Sequence, residues 1–191
     1  MNFITVAKTS ANVPLPPPAP TAPAAAGERT AVLAVAGIKD ALDELWLPRI
    51  YRERILTMRT RSHHLNIPAT RTVDVEIQHT LLGVELKMGR RRMMCPDLAT
   101  ARYLAVFARA GCSDVAVPYD ISRISRLADE LESSWHRMLL LMEKAAERRS
   151  RSFKARLRSL VLGEVRAEIE LAGAGTPVPK FNQNTKQRPG A

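Results

Sequence analysis

The spacing of apolar residues predicts a helix near the start of the folded part of the chain. From residue 38 onwards, apolar side chains recur every three or four positions, at Ile38, Ala41, Leu42 and Leu45. This is the period of an amphipathic helix. Pro48 interrupts the pattern, which resumes through Met58. Because proline is accepted in the first turn of a helix but not in its interior, we expect either a kink or a new helix at this point.

The apolar period changes to two after Pro68, which indicates strands with one buried face. Apolar and polar residues alternate over residues 73–78 and again over 84–88. A turn at Gly89 would return the chain as a third strand ending at Cys95, because glycine readily adopts the left-handed backbone of many turns. The sequence thus predicts a small antiparallel β-meander.

A helix and a further strand are predicted after the meander. Asp97, which follows Pro96, is a suitable N-cap, and Gly111 is a suitable stop for the helix between them. The apolar residues 115–117 form a short strand. The order helix, three strands, helix, strand predicts a compact α+β core over residues 38–120.

Two long amphipathic helices are predicted over residues 120–172. Asp120 caps the first, whose apolar residues alternate in steps of three and four, at Ile121, Ile124, Ala128, Leu131, Trp135, Met138, Met142 and Ala145. The apolar positions between Phe153 and Ile169 predict its partner, with the connection at residues 146–152. We expect the two helices to form a hairpin that packs on the core.

The two ends of the chain are predicted to be disordered tails. Six of the 13 prolines lie within residues 14–23, among alanine and threonine. Such a composition buries too little apolar surface to offset chain entropy, so residues 1–29 are expected to be a Pro/Ala-rich tail. A plain linker is favoured there over a proline-rich ligand for a partner. Residues 173–191 are also expected to be disordered.

The chain is strongly basic, and its arginines are clustered. Lys and Arg number 29 against 19 Asp and Glu, a net charge of +10, and arginine outnumbers lysine 22 to 7. The planar guanidinium suits phosphate better than an ammonium does. We therefore predict a nucleic-acid-associated accessory protein, for RNA or DNA, that uses Arg90, Arg91, Arg92, Arg148, Arg149, Arg151, Lys154, Arg156 and Arg158. Solvated, arginine-rich helix faces are the alternative explanation.

The apolar stripe over residues 121–145 suggests a second hypothesis, a protein-interaction adaptor or scaffold. The apolar run over 138–142 is wider than one seam, so this part of the helix is expected to be buried on more than one side. Packing within the chain is the favoured explanation. A homodimer or a protein partner would instead contact Leu131, Trp135, Met138 and Met142.

The predicted hairpin has a charged face. A pairing of Ile77 with Val84 keeps one face apolar. The other face then holds two opposed pairs, Asp74 with Lys87 and Glu76 with Glu85. Gathered carboxylates can bind Mg²⁺, and a nearby lysine can orient an attacking water.

The Glu-Leu-Lys triplet at 85–87, together with the order of the elements, resembles the PD-(D/E)XK nuclease superfamily over about residues 38–120. This resemblance implies a metal-dependent nuclease. However, in that superfamily a helix follows the triplet strand, whereas here another strand follows. Pro96 and Asp97 also come after the triplet instead of before it. A solvated sheet face is therefore favoured, and no catalytic or metal-binding residue is assigned.

Few other residues suggest chemistry. His63 and His64 are adjacent, so on a helix they would point apart, and no histidine has partners at metal-ligand spacing. Cys95 and Cys112 are expected to be small core residues. Without a glycine-rich phosphate loop, the sequence predicts no cofactor, and a non-enzymatic role is favoured.

The sequence also bears on location. No apolar run approaches the roughly 18 residues that a bilayer crossing needs, and no secretory leader opens the chain. We therefore expect a cytoplasmic protein with no membrane partner.

Overall fold

The structure is a computed structural model that describes residues 22–67 and 74–176, with side chains from Arg29 onwards. Most of both predicted tails, residues 1–21 and 177–191, lies outside the described residues. The described chain has the predicted α+β fold. The helices are α1 (Ala22–Leu42), α2 (Leu47–Ile50), α3 (Leu98–Ala110), α4 (Ile121–Ala145) and α5 (Arg151–Ala172). The strands are β1 (Thr60–His64), β2 (Val75–Thr80), β3 (Gly83–Met88), β4 (Arg91–Cys95) and β5 (Asp114–Pro118).

A fresh helix begins at the predicted break around Pro48. A short 3₁₀ turn (Asp43–Leu45) ends α1, and α2 then starts with Pro48 in its first turn. α2 continues as a π-helical turn over Tyr51–Ile55. The backbone amide that proline lacks is one that the first turn leaves unbonded anyway, so the new helix tolerates it.

Two antiparallel sheets form the β part of the fold. β2, β3 and β4 form the predicted meander, and Gly89 at its second turn has a left-handed φ of 61°. β1 and β5 form a separate two-stranded sheet. The sequence does not predict β1, because this strand lacks alternating apolar residues and depends on its pairing with β5. His63 and His64 lie on this strand and not on a helix.

The register of the β2–β3 hairpin differs from the prediction by two residues. Ile77 pairs with Leu86 instead of Val84. The turn sets this register: the Thr80 side chain accepts a hydrogen bond from the Leu82 amide and donates to the carbonyl of Gly83. A turn shifted by one residue preserves the apolar face, so alternation alone does not distinguish the two registers.

α3 lies at the centre of the fold. Both of its predicted ends are confirmed: the Asp97 side chain accepts a hydrogen bond from the Thr100 amide, and Gly111 ends the helix with a φ of 84°. α3 packs against the three-stranded sheet and also against α4. The ring of Phe107 lies 5.2 Å from that of Tyr103 and is fully buried. The hydrophobic core is therefore built around this helix.

The two long helices are present, with N-caps at Asp120 and Ser150. α4 packs against α3 and α1, and α5 packs chiefly on α1. The four residues predicted as a partner interface are 0–6% exposed and belong to the core of this chain: Leu131, Trp135, Met138 and Met142. This burial supports packing within the chain, which the sequence favoured over a partner interface, because α1 and α3 lie against α4. None of the helices in the described ranges has the length and apolarity needed to cross a bilayer.

The described ends of the chain correct the predicted tail boundaries. α1 begins at Ala22, well before Ile38, so the last residues of the predicted 1–29 tail are helical. Alanine, which is frequent here, has the highest helix propensity. At the other end, the Gly173 carbonyl accepts a hydrogen bond from the Tyr51 hydroxyl at 2.8 Å. Thr176 bridges Arg61 of β1. Residues 173–176 therefore lie against the core, and their partners are too distant in sequence to be foreseen.

Candidate phosphate-binding surfaces

The first predicted arginine cluster lies at the β3–β4 turn and the start of β4. Arg90, Arg91 and Arg92 are all exposed. The Arg91 guanidinium donates to the backbone carbonyl of Asn66 at 2.5 Å. Arg92 lies on the opposite face of the strand, where its guanidinium is 3.7 Å from Glu85. The three arginines therefore do not form one surface, because side chains alternate between the faces of a strand.

The second predicted cluster occupies the connection between α4 and α5 and the first turns of α5. We call it the α4–α5 surface; its exposed members are Arg148, Arg149, Arg151, Lys154, Arg156 and Arg158. Arg151, Lys154 and Arg158 are spaced by three and four residues along α5, so they share one face of the helix. The guanidinium of Arg149 stacks over Phe153, 5.5 Å from the ring centroid. This contact occupies the aromatic ring nearest to the cluster.

The cations of the α4–α5 surface mostly lack carboxylate partners. Outside it, many cations are matched by carboxylates, including Lys39, Arg49, Arg54, Lys87, Arg102 and Arg123. Within the described residues, no ion pair is formed by Arg148, Arg149, Arg151, Lys154 or Arg158. Several exposed cations without a carboxylate partner are therefore close together at this surface, where an anionic partner can reach them.

The two predicted clusters belong to different parts of the fold. Arg90, Arg91 and Arg92 lie on the three-stranded sheet, whereas the α4–α5 surface lies at the end of the helical pair. α3 packs against both the sheet and α4. The two clusters, which are separate along the chain, also lie on separate elements of the fold.

A pocket of about 550 Å³ opens beside the first cluster. We call it the β1–β4 pocket; it is lined by His64, Leu65, Asn66, Met88, Arg91, Arg92 and Met93. The residues come from the end of β1, the segment after it, and strands β3 and β4. The His64 Nδ1 lies 2.8 Å from a carboxylate oxygen of Asp114 on β5. This hydrogen bond is the main reason why the pKa of Asp114 falls below its usual range.

A third basic region was missed by sequence analysis. Arg54, Arg123 and Arg126 line a second pocket, of about 470 Å³, where α2 approaches the start of α4. Arg54 pairs with Glu130, and Arg123 pairs with Asp120. Arg123 and Arg126 are one helical turn apart, which was a usable signal. Only tertiary packing brings Arg54 to them.

Ion pairs compensate part of the charged face of the hairpin. In the observed register Glu76 faces Lys87, and their charged groups are 2.9 Å apart. The hydrogen bond from Lys87 is the main cause that lowers the pKa of Glu76. Glu85 faces Gln78 instead of Glu76, so the two carboxylates proposed for a metal are separated. Across the described parts of the chain, no three His, Cys, Asp or Glu side chains are grouped as metal ligands.

His63 and the two cysteines are enclosed by the fold. His63 is half-buried with its Nε2 3.2 Å from the sulfur of Met93, and burial lowers its pKa. Cys95 and Cys112 are free and buried. Burial raises the pKa of Cys112 to about 12, which disfavours the thiolate that a nucleophile needs.

Comparison with protein-family models, with curated proteins and with solved structures gives no significant match. A functional proposal for this chain therefore depends on its own geometry and charge.

Proposed function

We propose that the protein binds nucleic acids, RNA or DNA, as a non-enzymatic accessory protein, and that the α4–α5 surface contacts the phosphate backbone. The supporting observation is the exposed set of five cations at this surface that form no ion pair within the described residues. Arginine dominates this set, and its forked donors match phosphate oxygens. The binding is electrostatic: it depends on contacts with phosphates and hardly on the base sequence.

The contacts at this surface favour backbone binding over base stacking. Arg149 already covers Phe153, so that ring is not an open platform for a base. Arg151, Lys154 and Arg158 present a row of cations along one face of α5. A row of this kind follows a phosphate backbone without reading the bases.

Fluorescence anisotropy tests the proposal with labelled single-stranded RNA, single-stranded DNA and duplex DNA over a range of salt concentrations. Binding should weaken steeply with salt, because each neutralised phosphate releases counterions. The test variant combines Arg148→Gln, Arg151→Gln and Lys154→Gln. The slope of log affinity against log salt is negative, and its magnitude should decrease by about 0.7–0.9 for each phosphate contact removed.

A charge-matched control separates this surface from net charge alone. The control combines Arg49→Gln, Lys87→Gln and Arg123→Gln, three partly or fully exposed cations that already have carboxylate partners. It removes the same formal charge and should retain most of the binding. Equal losses in both variants would contradict the assignment of the α4–α5 surface. No binding by the wild-type protein at low salt would refute the function itself.

A further inference from the structure

The β1–β4 pocket combines an apolar floor with a polar rim. Leu65 and Met88 are buried, and Met93 lies beside them on the same side of the sheet. Asn66, His64 and Arg91 supply the polar groups. Small-molecule sites are typically built in this way, from apolar walls and a few placed polar groups, in cavities of about 300–1,000 Å³.

The polar groups of the rim are held in place by bonds across the fold. Arg91 reaches from β4 to the Asn66 carbonyl, a bond that uses one donor and leaves most of the five N–H groups of its guanidinium. The bond between His64 Nδ1 and Asp114 leaves Nε2 outside that contact, and in the imidazolium form this nitrogen can donate to a phosphate oxygen. Arg92 also borders the pocket, but its side chain is on the other face of β4, near Glu85.

This arrangement goes beyond the backbone contacts proposed for the α4–α5 surface. We propose that the β1–β4 pocket binds one nucleotide, with its phosphate at Arg91 and His64 and its base against the methionines. Thioether side chains make favourable contacts with aromatic rings, so Met88 suits a base. Met93, whose sulfur also contacts His63 Nε2 at 3.2 Å, borders the same space. The Asn66 amide can bond a base edge. A phosphate ion alone would leave most of a cavity of about 550 Å³ to water.

Methionine methyl NMR tests the assignment directly. Met88 and Met93 line the pocket, whereas Met94 lies on the opposite face of β4, where its methyl is near Gly83. Nucleoside monophosphates should shift the methyl signals of Met88 and Met93 in a saturable way and leave Met94 unchanged. Inorganic phosphate and free nucleosides should each bind at least about tenfold more weakly.

Neighbouring arginines provide a matched pair of variants. Arg91→Gln should weaken nucleotide binding by at least about tenfold, whereas Arg90→Gln, an exposed neighbour outside the pocket, should stay within about twofold. Because Arg91 also bonds Asn66, its loss could disturb the fold. His64→Gln, at an exposed position, is therefore measured as well and should also weaken binding.

Two sources of the nucleotide are separated by comparing free mononucleotides with short single strands, with and without a 5′ phosphate. Shifts at Met88 and Met93 from either source support the pocket and identify the source. The proposal is overturned if nucleotides leave both signals unchanged, if phosphate alone binds equally well, or if Met94 shifts equally. Strand binding that persists without shifts at Met88 and Met93 would overturn this site and leave the α4–α5 surface standing.

Discussion

The Tyr51 hydroxyl accepts a hydrogen bond from the backbone amide of Ala116 at 2.8 Å, although the two residues are 65 positions apart. The same hydroxyl donates to the carbonyl of Gly173, and Tyr103 donates to the carbonyl of Ala116 at 2.6 Å. The amide and the carbonyl of Ala116 thus both have hydrogen-bond partners at the edge of β5 that faces away from β1. Two tyrosines close this strand edge where another strand would otherwise pair.

Removal of one of these hydroxyls should destabilise the protein. Tyr51→Phe keeps the ring but leaves the Ala116 amide and the Gly173 carbonyl without this partner. We expect a loss of about 1–3 kcal/mol in the free energy of unfolding, measured by denaturant titration. Tyr119→Phe, at a half-exposed position, is the control and should stay within about 0.5 kcal/mol. Equal effects would contradict the role of the hydroxyl.

The same residue predicts a loss of stability at high pH. Burial raises the pKa of Tyr51 from 10.0 to about 12. As pH rises, the Tyr51 hydroxyl loses its proton in the unfolded state before it does so in the folded state. Its contribution to the free energy of unfolding is therefore fully present below about pH 10 and is lost as pH rises towards 12. Complete loss of this contribution lowers the free energy of unfolding by about 3 kcal/mol. Denaturant titrations between about pH 9 and 12 should show a shallower loss for Tyr51→Phe than for wild type; parallel curves would contradict the prediction.

Two glycines should respond to alanine in opposite ways. At Gly175 the φ is +80° and a Cβ would lie 2.6 Å from the Thr60 hydroxyl oxygen. Gly175→Ala should therefore cost more than about 1 kcal/mol. Gly163 lies within α5, and a Cβ there meets nothing within 4 Å. Gly163→Ala should stabilise the protein by about 0.5–1 kcal/mol in thermal or denaturant unfolding. The same sign for both would disprove the argument.

The core position of Trp135 predicts a folding defect. Trp135→Ala should reduce the free energy of unfolding by about 3–5 kcal/mol, because it opens a cavity beneath α4. Leu140→Ala on the same helix, at a 65% exposed position, should stay within about 0.5 kcal/mol. Light scattering should give the same mass for wild type and Leu140→Ala. The interface hypothesis would be supported if Trp135→Ala kept the stability of the wild type but no longer formed an oligomer that the wild type forms.

The ion pairs of the hairpin predict no metal-dependent cleavage of nucleic acid. Lys87 pairs with the Glu76 carboxylate, and Glu85 lies opposite Gln78, so the two carboxylates are not opposite each other on this face. Incubation with plasmid and single-stranded substrates in Mg²⁺ or Mn²⁺ should leave both intact. Metal-dependent cutting that is lost in both Glu85→Ala and Lys87→Ala would show the opposite.

The sequence by itself determined the elements whose signals are local. The cap at Asp97 and the stop at Gly111 act within one helical turn, and the alternation of apolar residues marks β2 and β3. The α+β class follows from the order of these elements. The basic character of the α4–α5 surface is also local, because its cations are close together in the chain.

Tertiary structure alone decided the features that join distant residues. β1 exists because β5 pairs with it, and the hairpin register depends on side-chain bonds within its turn. The apolar stripe of α4 is compatible with either a core or an interface, and the contacts of α4 with α1 and α3 show that it belongs to the core. Arg91 and His64 share a pocket for the same reason: backbone pairing and packing, which no local pattern encodes, bring them together.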